Sequence, residues 1–364
     1  MTPRENLLSL YRKQGYERAP VCFVLCPSLE NEFKQRYPSA ESYADEFGFP
    51  FRLITDPAFP WIAEIPGFVP ERKWDRTRYF DTPVHPQARM DIWGVAHEPG
   101  SAAAKHMTHM RHPLQKFQTL EEFQAYPWPE FEKADWSFAK REVDALHARG
   151  LAAQVWMECT IWETAWYLRG MEELMMDMMG EEEQAVFLLD KITDLACFRA
   201  RKYAEAGADI IALGDDIGMQ SSPMMARRFY AEWLKPRLRK VIQAAKVVKP
   251  DVIIQYHSCG YIIDLIPELI DAGIDVLNPV QPESMDVMRV FNEFGGKLSF
   301  NGSLGTQTLM PFGTPQDVRD TVKRNLDFFG TKGGLLCCPT HMLEPEVPWE
   351  NIEAYLEACR QYRT

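Results

Sequence analysis

Residues 251–260 read DVIIQYHSCG, and this stretch decides the fold. Val252, Ile253, Ile254 and Tyr256 are the β-branched and aromatic types that suit a strand. The run then breaks abruptly into His257, Ser258, Cys259 and Gly260. Helical patterns with apolar residues at three-to-four spacing flank it, over 223–248 before and 262–272 after. A buried strand between two helices, ending in chemically active side chains, is one unit of a parallel α/β sheet.

The same unit recurs on both sides. Apolar runs stand at 21–26, 49–54, 152–159, 209–214, 252–257, 276–279, 297–301 and 334–338, with further helical patterns at 181–206, 286–294 and 315–329. Several of these helices open with Pro or an acidic first turn. Eight such units predict an α/β fold, a single (β/α)8 TIM barrel spanning residues 1–364. A doubly wound open sheet is the alternative, and it wants a Gly-rich phosphate loop after its first strand. The chain has Pro27, Ser28, Leu29 and Glu30 there. Between about 56 and 129 the alternation fails. Ten prolines and the histidines His106, His109 and His112 predict a long insertion or lid after the second strand.

Composition narrows the function. Of 364 residues 46% are hydrophobic, enough for a large core, and no apolar run reaches the 18 residues of a membrane span. The N-terminal residues lack the apolar segment of a secretory signal, which predicts a cytoplasmic protein. Eight cysteines, several inside apolar runs, fit a reducing compartment better than a disulfide framework. A net charge of −12 disfavours nucleic acid and anionic membranes, because both need a basic face. Small molecules or another protein remain as partners.

In a barrel the C-terminal strand ends meet at one face, so polar residues closing an apolar run are the candidates for chemistry. Asp215 and Asp216 close the fourth run, His257 and Cys259 the fifth, Asn278 and Gln281 the sixth, Asn301 the seventh, and Cys337, Cys338 and His341 the last. His257 and Cys259 are two apart at a strand end, so both point one way, and imidazole with thiolate is a zinc-type pair. A catalytic zinc keeps three protein ligands, and the last strand end offers the third. His-x-Cys is a short motif, and the alternative is a hydrogen-bonded core histidine with a packed cysteine beside it. Asp215 and Asp216 suit general acid and base work, or one of them caps the helix that begins near Pro223. Glu158 and Glu163, among Trp156, Trp162 and Trp166, border either a substrate pocket or core packing. The methionine-rich stretch 171–179 reads as a pliable helix face.

The strings DIWGV at 91–95, LGDDIGMQ at 213–220, YHSCG at 256–260 and PWEN at 348–351 resemble the uroporphyrinogen decarboxylase superfamily across nearly the whole chain. The resemblance implies either a decarboxylase of tetrapyrrole acetate arms or a zinc methyltransferase that exchanges methyl groups with a corrinoid protein. Decarboxylases of this family carry Arg-Gln-Ala-Gly-Arg after the first strand to grip carboxylates, whereas residues 25–30 here read LCPSLE. The methyltransferase branch carries His-x-Cys after the fifth strand, matched by His257 and Cys259, and a third ligand shortly before Pro-x-x-Asn. Counting back seven from Pro348 lands on His341, not Cys338.

The resemblance thus implies Zn2+ held by His257, Cys259 and His341. Asp215, Asp216 and Gln220 would orient substrate or move protons, and Glu158, Asn278, Gln281 and Asn301 would line the mouth. The usual D-x-H-x-x-G stretch of a corrin-binding domain is missing, so the corrinoid (cobalamin) is expected on a separate protein. The substrate is then a small methylated compound of O-methyl, N-methyl or thiol type. The alternatives are a metal-free decarboxylase and a non-catalytic barrel that binds a corrinoid or tetrapyrrole.

Overall fold

Seven of the eight expected runs form strands of one sheet in the computed structural model, which describes residues 1–58, 75, 78–100 and 108–362. They are β1 (Phe51–Ile54), β5 (Ala152–Glu158), β6 (Ile210–Gly214), β7 (Ile253–His257), β8 (Val276–Asn278), β9 (Ser299–Asn301) and β10 (Leu335–Leu336). Their order in the sheet is β1-β5-β6-β7-β8-β9-β10, every neighbour parallel. The sheet is curled, and β5 to β10 are buried almost throughout, as a parallel sheet covered by helices requires, while the edge strand β1 is partly exposed. The long helix Glu183–Ala206 and the helix Lys235–Lys246 lie in the β5–β6 and β6–β7 connections.

The expected first strand does not form a ladder. Leu25 makes a single parallel bridge to Leu343, with Cys26 N–H donating to Leu343 O and Leu343 N–H to Val24 O. Proline explains the truncation: Pro20 and Pro27 bound the run, and Pro339 and Pro345 interrupt its partner, each removing a donor. The segment still touches both sheet edges. Phe23 packs edge-on against Phe49 at 5.0 Å, just before β1, while Leu25 meets the chain beyond β10.

Described parts of the 56–129 insertion form a small antiparallel sheet in the order β2-β3-β4, from β2 (Arg89–Met90), β3 (Ala96–Pro99) and β4 (Thr108–Arg111). His106 lies outside the described residues. His109 sits on β4, and His112 pairs through Nδ1 with Tyr167 O at 2.8 Å, so neither joins the strand ends. Two buried arginines anchor the insertion. Arg169 donates to the carbonyls of Leu114, Gln115 and Phe117, and Arg199 pairs with Asp56 at 2.5 Å with both side chains at most 2% exposed.

Removing one partner of a buried pair strands the other charge, which costs about 3–5 kcal/mol. Arg199→Ala is therefore expected to lose about that much stability in urea denaturation. A loss under about 1 kcal/mol would mean that the pair does not hold the insertion to the helix Glu183–Ala206.

Candidate active site

Strand register places Glu158, Gly214, His257 and Asn278 in one row across β5 to β8. Gly214 matters here because a Cβ at that position would lie 2.4 Å from the His257 carbonyl oxygen. With no side chain between them, His257 Nδ1 comes within 3.7 Å of Glu158 Oε1, although their strands are two apart in the sheet. Asn278 Oδ1 meets the same Nδ1 at 2.7 Å, and Asn278 Nδ2 donates to Asn301 O.

Past the strand ends, Asp216 Oδ1 accepts the Cys259 backbone N–H at 2.7 Å. The thiol of Cys259 lies 3.5 Å from His257 Nε2, and Asp216 Oδ1 lies 3.7 Å from the same nitrogen. One ligand atom from each of these residues falls within 4.8 Å of the others. Tetrahedral zinc with bonds of roughly 2.0–2.3 Å separates its donors by about 3.5 Å, so an imidazole, a thiolate and a carboxylate at these spacings fit the ion. Gly260, at φ +81°, lets the loop pass against Met219, whose carbonyl accepts from Tyr261 N–H at 2.7 Å.

Asp215 turns the other way. It is buried, and its carboxylate accepts the backbone N–H groups of Ile161 and Glu163, closing the start of the helix Trp162–Arg169. Of the two roles the sequence left open, acid–base pair or cap of the helix near Pro223, the structure gives Asp215 a capping role, but on the helix that follows β5. Glu163 accepts the Asp216 N–H and the Tyr167 hydroxyl. Burial pushes the Asp215 and Glu158 carboxyls up to about 7. Burial, with Asp216 and Asp215 adding, pushes Glu163 to about 8. For His257 burial opposes the charge, but Glu158, Cys259 and Asp216 outweigh it and hold its pKa well above the ordinary imidazole value.

A cavity of about 320 Å³ opens beside this row, lined among others by Phe23, Trp156, Glu158, His257, Asn278 and Asn301. His341 lines it; the residue as a whole is exposed, but surrounding protein displaces water from its imidazole, and that desolvation, followed by the charge of His257, lowers its pKa. It is not one of the three residues whose donors converge. Cys337 and Cys338 are buried, and burial pushes the Cys337 thiol up to about 12. Cys338 lines the cavity, but its thiol donates to Asn301 Oδ1 at 3.1 Å. Gln220 reaches the Glu283 carbonyl, and Gln281 Oε1 accepts the Gly260 N–H, so both brace loops away from the cavity wall. Gln154 and Gln255, which sequence reading passed over, line the cavity from inside β5 and β7. Their signal was a carboxamide in the middle of an otherwise apolar run.

The profile of the uroporphyrinogen decarboxylase (URO-D) family matches residues 159–362, more than half of the chain. A methylated-thiol–coenzyme M methyltransferase of Methanosarcina mazei is 28% identical over 204 residues, covering 54% of this chain and 50% of the relative. The methylcobamide:CoM methyltransferase MtaA of Methanosarcina barkeri is 28% identical over 176 residues, 48% of each chain. Uroporphyrinogen decarboxylases match at similar identity. The chain spans about half the length of the curated relatives it matches. A methyltransferase structure from Methanosarcina mazei superimposes with a TM-score of 0.67 at 18% identity, over 98% of both chains, and so shares the fold.

Asp215 yields a pH prediction. A carboxyl whose folded pKa is about 7, against 3.8 when free, takes up a proton on folding. It therefore contributes no penalty below about pH 3.8 and lowers stability as pH rises toward about 7. Asp215→Asn keeps an acceptor for the Ile161 and Glu163 N–H groups and cannot ionise. In metal-free protein its stability relative to wild type is expected to rise between pH 4 and pH 7 in urea denaturation. A difference that stays flat with pH would show that Asp215 is ionised throughout.

Proposed function

The chain belongs to the uroporphyrinogen decarboxylase family, and within it we propose a zinc-dependent methyltransferase. It moves a methyl group between a small methylated substrate, of O-methyl, N-methyl or thiol type, and a corrinoid protein. The observation that carries this reading is the convergence of His257, Cys259 and Asp216 at spacings close to those of a tetrahedral ion's donors, with His257 also lining a small cavity. His257 and Cys259 are the anchoring ligands, Asp216 stands beside them, and His341, which lines the same cavity, is the further donor we assign. Zinc so held supplies Lewis acidity toward the heteroatom that releases the methyl group, or stabilises a substrate thiol as thiolate.

The chain's own residues set up that site. With the ion bound, Asn278 Oδ1 would accept the Nδ1 proton of His257 and leave the Nε2 lone pair to the metal. Glu158 compensates the imidazole from the other side. Relatives whose names include both methyltransferases and a methylcobamide substrate support a corrinoid-carrying partner protein.

The metal-free decarboxylase reading is disfavoured physically. The Asp215 carboxylate is consumed by backbone N–H groups, so it is not available to move a substrate proton. The one arginine lining the cavity among the described residues, Arg52, is paired with Asp45 and two carbonyls. An eight-carboxylate tetrapyrrole needs several free cationic anchors.

Elemental analysis of protein purified without chelator tests the reading, with about one zinc per chain expected. Cys259→Ala should lose most of it, and Asn278→Ala should weaken zinc binding roughly 10- to 100-fold. His341→Ala is expected to weaken it while Cys338→Ser retains it; the reverse pattern would exchange the ligand. Full metal retention in Cys259→Ala would move the site elsewhere. Uroporphyrinogen should give no decarboxylated product, and turnover of it at enzyme-like rates would overturn the choice of branch.

A further inference from the structure

Glu163 stands in the first turn of the helix Trp162–Arg169, and that helix is anchored without its side chain. At the N-terminal end Asp215 accepts the backbone N–H groups of Ile161 and Glu163 at 3.0 and 2.9 Å. At the C-terminal end the insertion takes over. Leu114 N–H donates to Leu168 O at 2.9 Å, His112 Nδ1 donates to Tyr167 O at 2.8 Å, and Arg169 donates to three insertion carbonyls. The Glu163 carboxyl is nevertheless withdrawn from water, and Asp216 and Asp215 add to the cost of its charge. A costly group that its own helix does not need is explained by what its oxygens touch.

Oε2 of Glu163 accepts the Asp216 N–H at 3.0 Å, and Oε1 accepts the Tyr167 hydroxyl, one turn further along, at 3.0 Å. The Tyr167 ring is packed edge-on against Trp166 at 4.3 Å, so the carboxyl is steadied at both oxygens. What it steadies is the peptide between Asp215 and Asp216, whose plane decides where the Asp216 side chain points. The carbonyl side of that peptide, Asp215 O, meets the Tyr256 hydroxyl at 3.5 Å, near the outer limit of a hydrogen bond. Its N–H side has the far shorter contact to Glu163. The plane is therefore set from Glu163, and Asp216 Oδ1 arrives at the Cys259 N–H and at 3.7 Å from His257 Nε2. Glu163 is not among the residues that line the cavity, so it reaches the site through Asp216 and not through a substrate.

We propose that Glu163 is a positioning residue: by holding the Asp216 N–H it aims the Asp216 carboxylate at His257 and Cys259, and the metal affinity of the site depends on that aim. The role rests on the metal reading of the site given above.

Titration of the full chain with Co2+ tests the role without any turnover, read by the thiolate-to-cobalt absorption and the d–d bands. Cobalt accepts the tetrahedral donors that zinc does, and its bands report their arrangement. Glu163→Met keeps the length of the side chain and removes both acceptors. It is expected to weaken cobalt binding about ten-fold and to change the d–d bands. Glu163→Gln restores an acceptor for the Asp216 N–H and should return the affinity to within about three-fold of wild type. In an Asp216→Ala background Glu163→Met should cost less than about two-fold, because the residue it positions is gone. An equal loss with and without Asp216 means that Glu163 only supports the fold and overturns the role. So does a Gln variant as weak as the Met variant, or a Met variant that binds like wild type. If Glu163→Met does not fold, Tyr167→Phe decides in its place: loss of the hydroxyl that steadies Oε1 should weaken cobalt about three-fold, again only while Asp216 is present. Failure of the metal reading looks different. No binding by the wild type, or full retention in Cys259→Ala, sinks that reading and the role with it, whereas loss in Cys259→Ala beside an unaffected Glu163→Met sinks the role alone.

Discussion

The close approach of β6 to β7 at Gly214 is the constraint on which the rest of the site depends. Neighbouring parallel strands lie about 4.8 Å apart, so side chains two strands away are ordinarily out of hydrogen-bonding reach. The missing side chain at 214 lets Glu158 and His257 face each other across it. The row continues to Asn278 by register alone. The Cys259 N–H to Asp216, together with Tyr261 N–H to Met219 O and Ile217 N–H to Ser258 Oγ, then ties the two loops that leave these strands. His257, Cys259 and Asp216 thus owe their convergence to backbone geometry, and the site is as rigid as the sheet beneath it.

Adjacent carboxylates divide the work. Asp215 and Asp216 follow an extended strand, so their side chains point to opposite sides. Asp215 enters the interior and ties the β5 loop to β6 through backbone N–H groups. Asp216 faces the mouth, and its own N–H is held by Glu163. Burial raises Asp215, Glu163 and Glu158 together, which keeps several carboxyls near neutrality beside a donor group that itself needs negative ligands. Charge is concentrated at the donors and withheld from the scaffold around them.

Much of this was legible in the chain because strand ends are written as apolar runs broken by polar residues. Seven of eight runs became strands, and His257, Cys259, Asp216, Glu158, Asn278 and Asn301 all gather at one end of the sheet. Other features were not legible, for specific reasons. Gln220 and Gln281 follow the strands by too many residues for periodicity to orient them, and loop hydrogen bonds claim both. Asn278 reads as a lining residue, but its pairing with His257 depends on the β7–β8 register, which no local pattern encodes. Arg52 lines the cavity but is neutralised by Asp45, a pairing that no local pattern encodes.

The strand that failed to form also shapes the site. A full ladder between residues 21–26 and the chain after β10 would draw the two segments to strand spacing and fill the seam with paired backbone. Prolines on both partners prevent this, and one bridge at Leu25 is all that forms. The cavity lies along that seam: Phe23 and Val24 line it from one side, Pro339, Thr340 and His341 from the other, with Phe51 and Leu53 of β1 between. Val24 and Leu53 stay 37% and 47% exposed there, which strands in a closed interior would not. The mouth therefore opens toward the weakest-paired part of the sheet, while the donor group sits on the strongest, β6 to β8. An opening needs backbone that is free to part and a metal site needs backbone that is not, and the placement of proline along the chain supplies both.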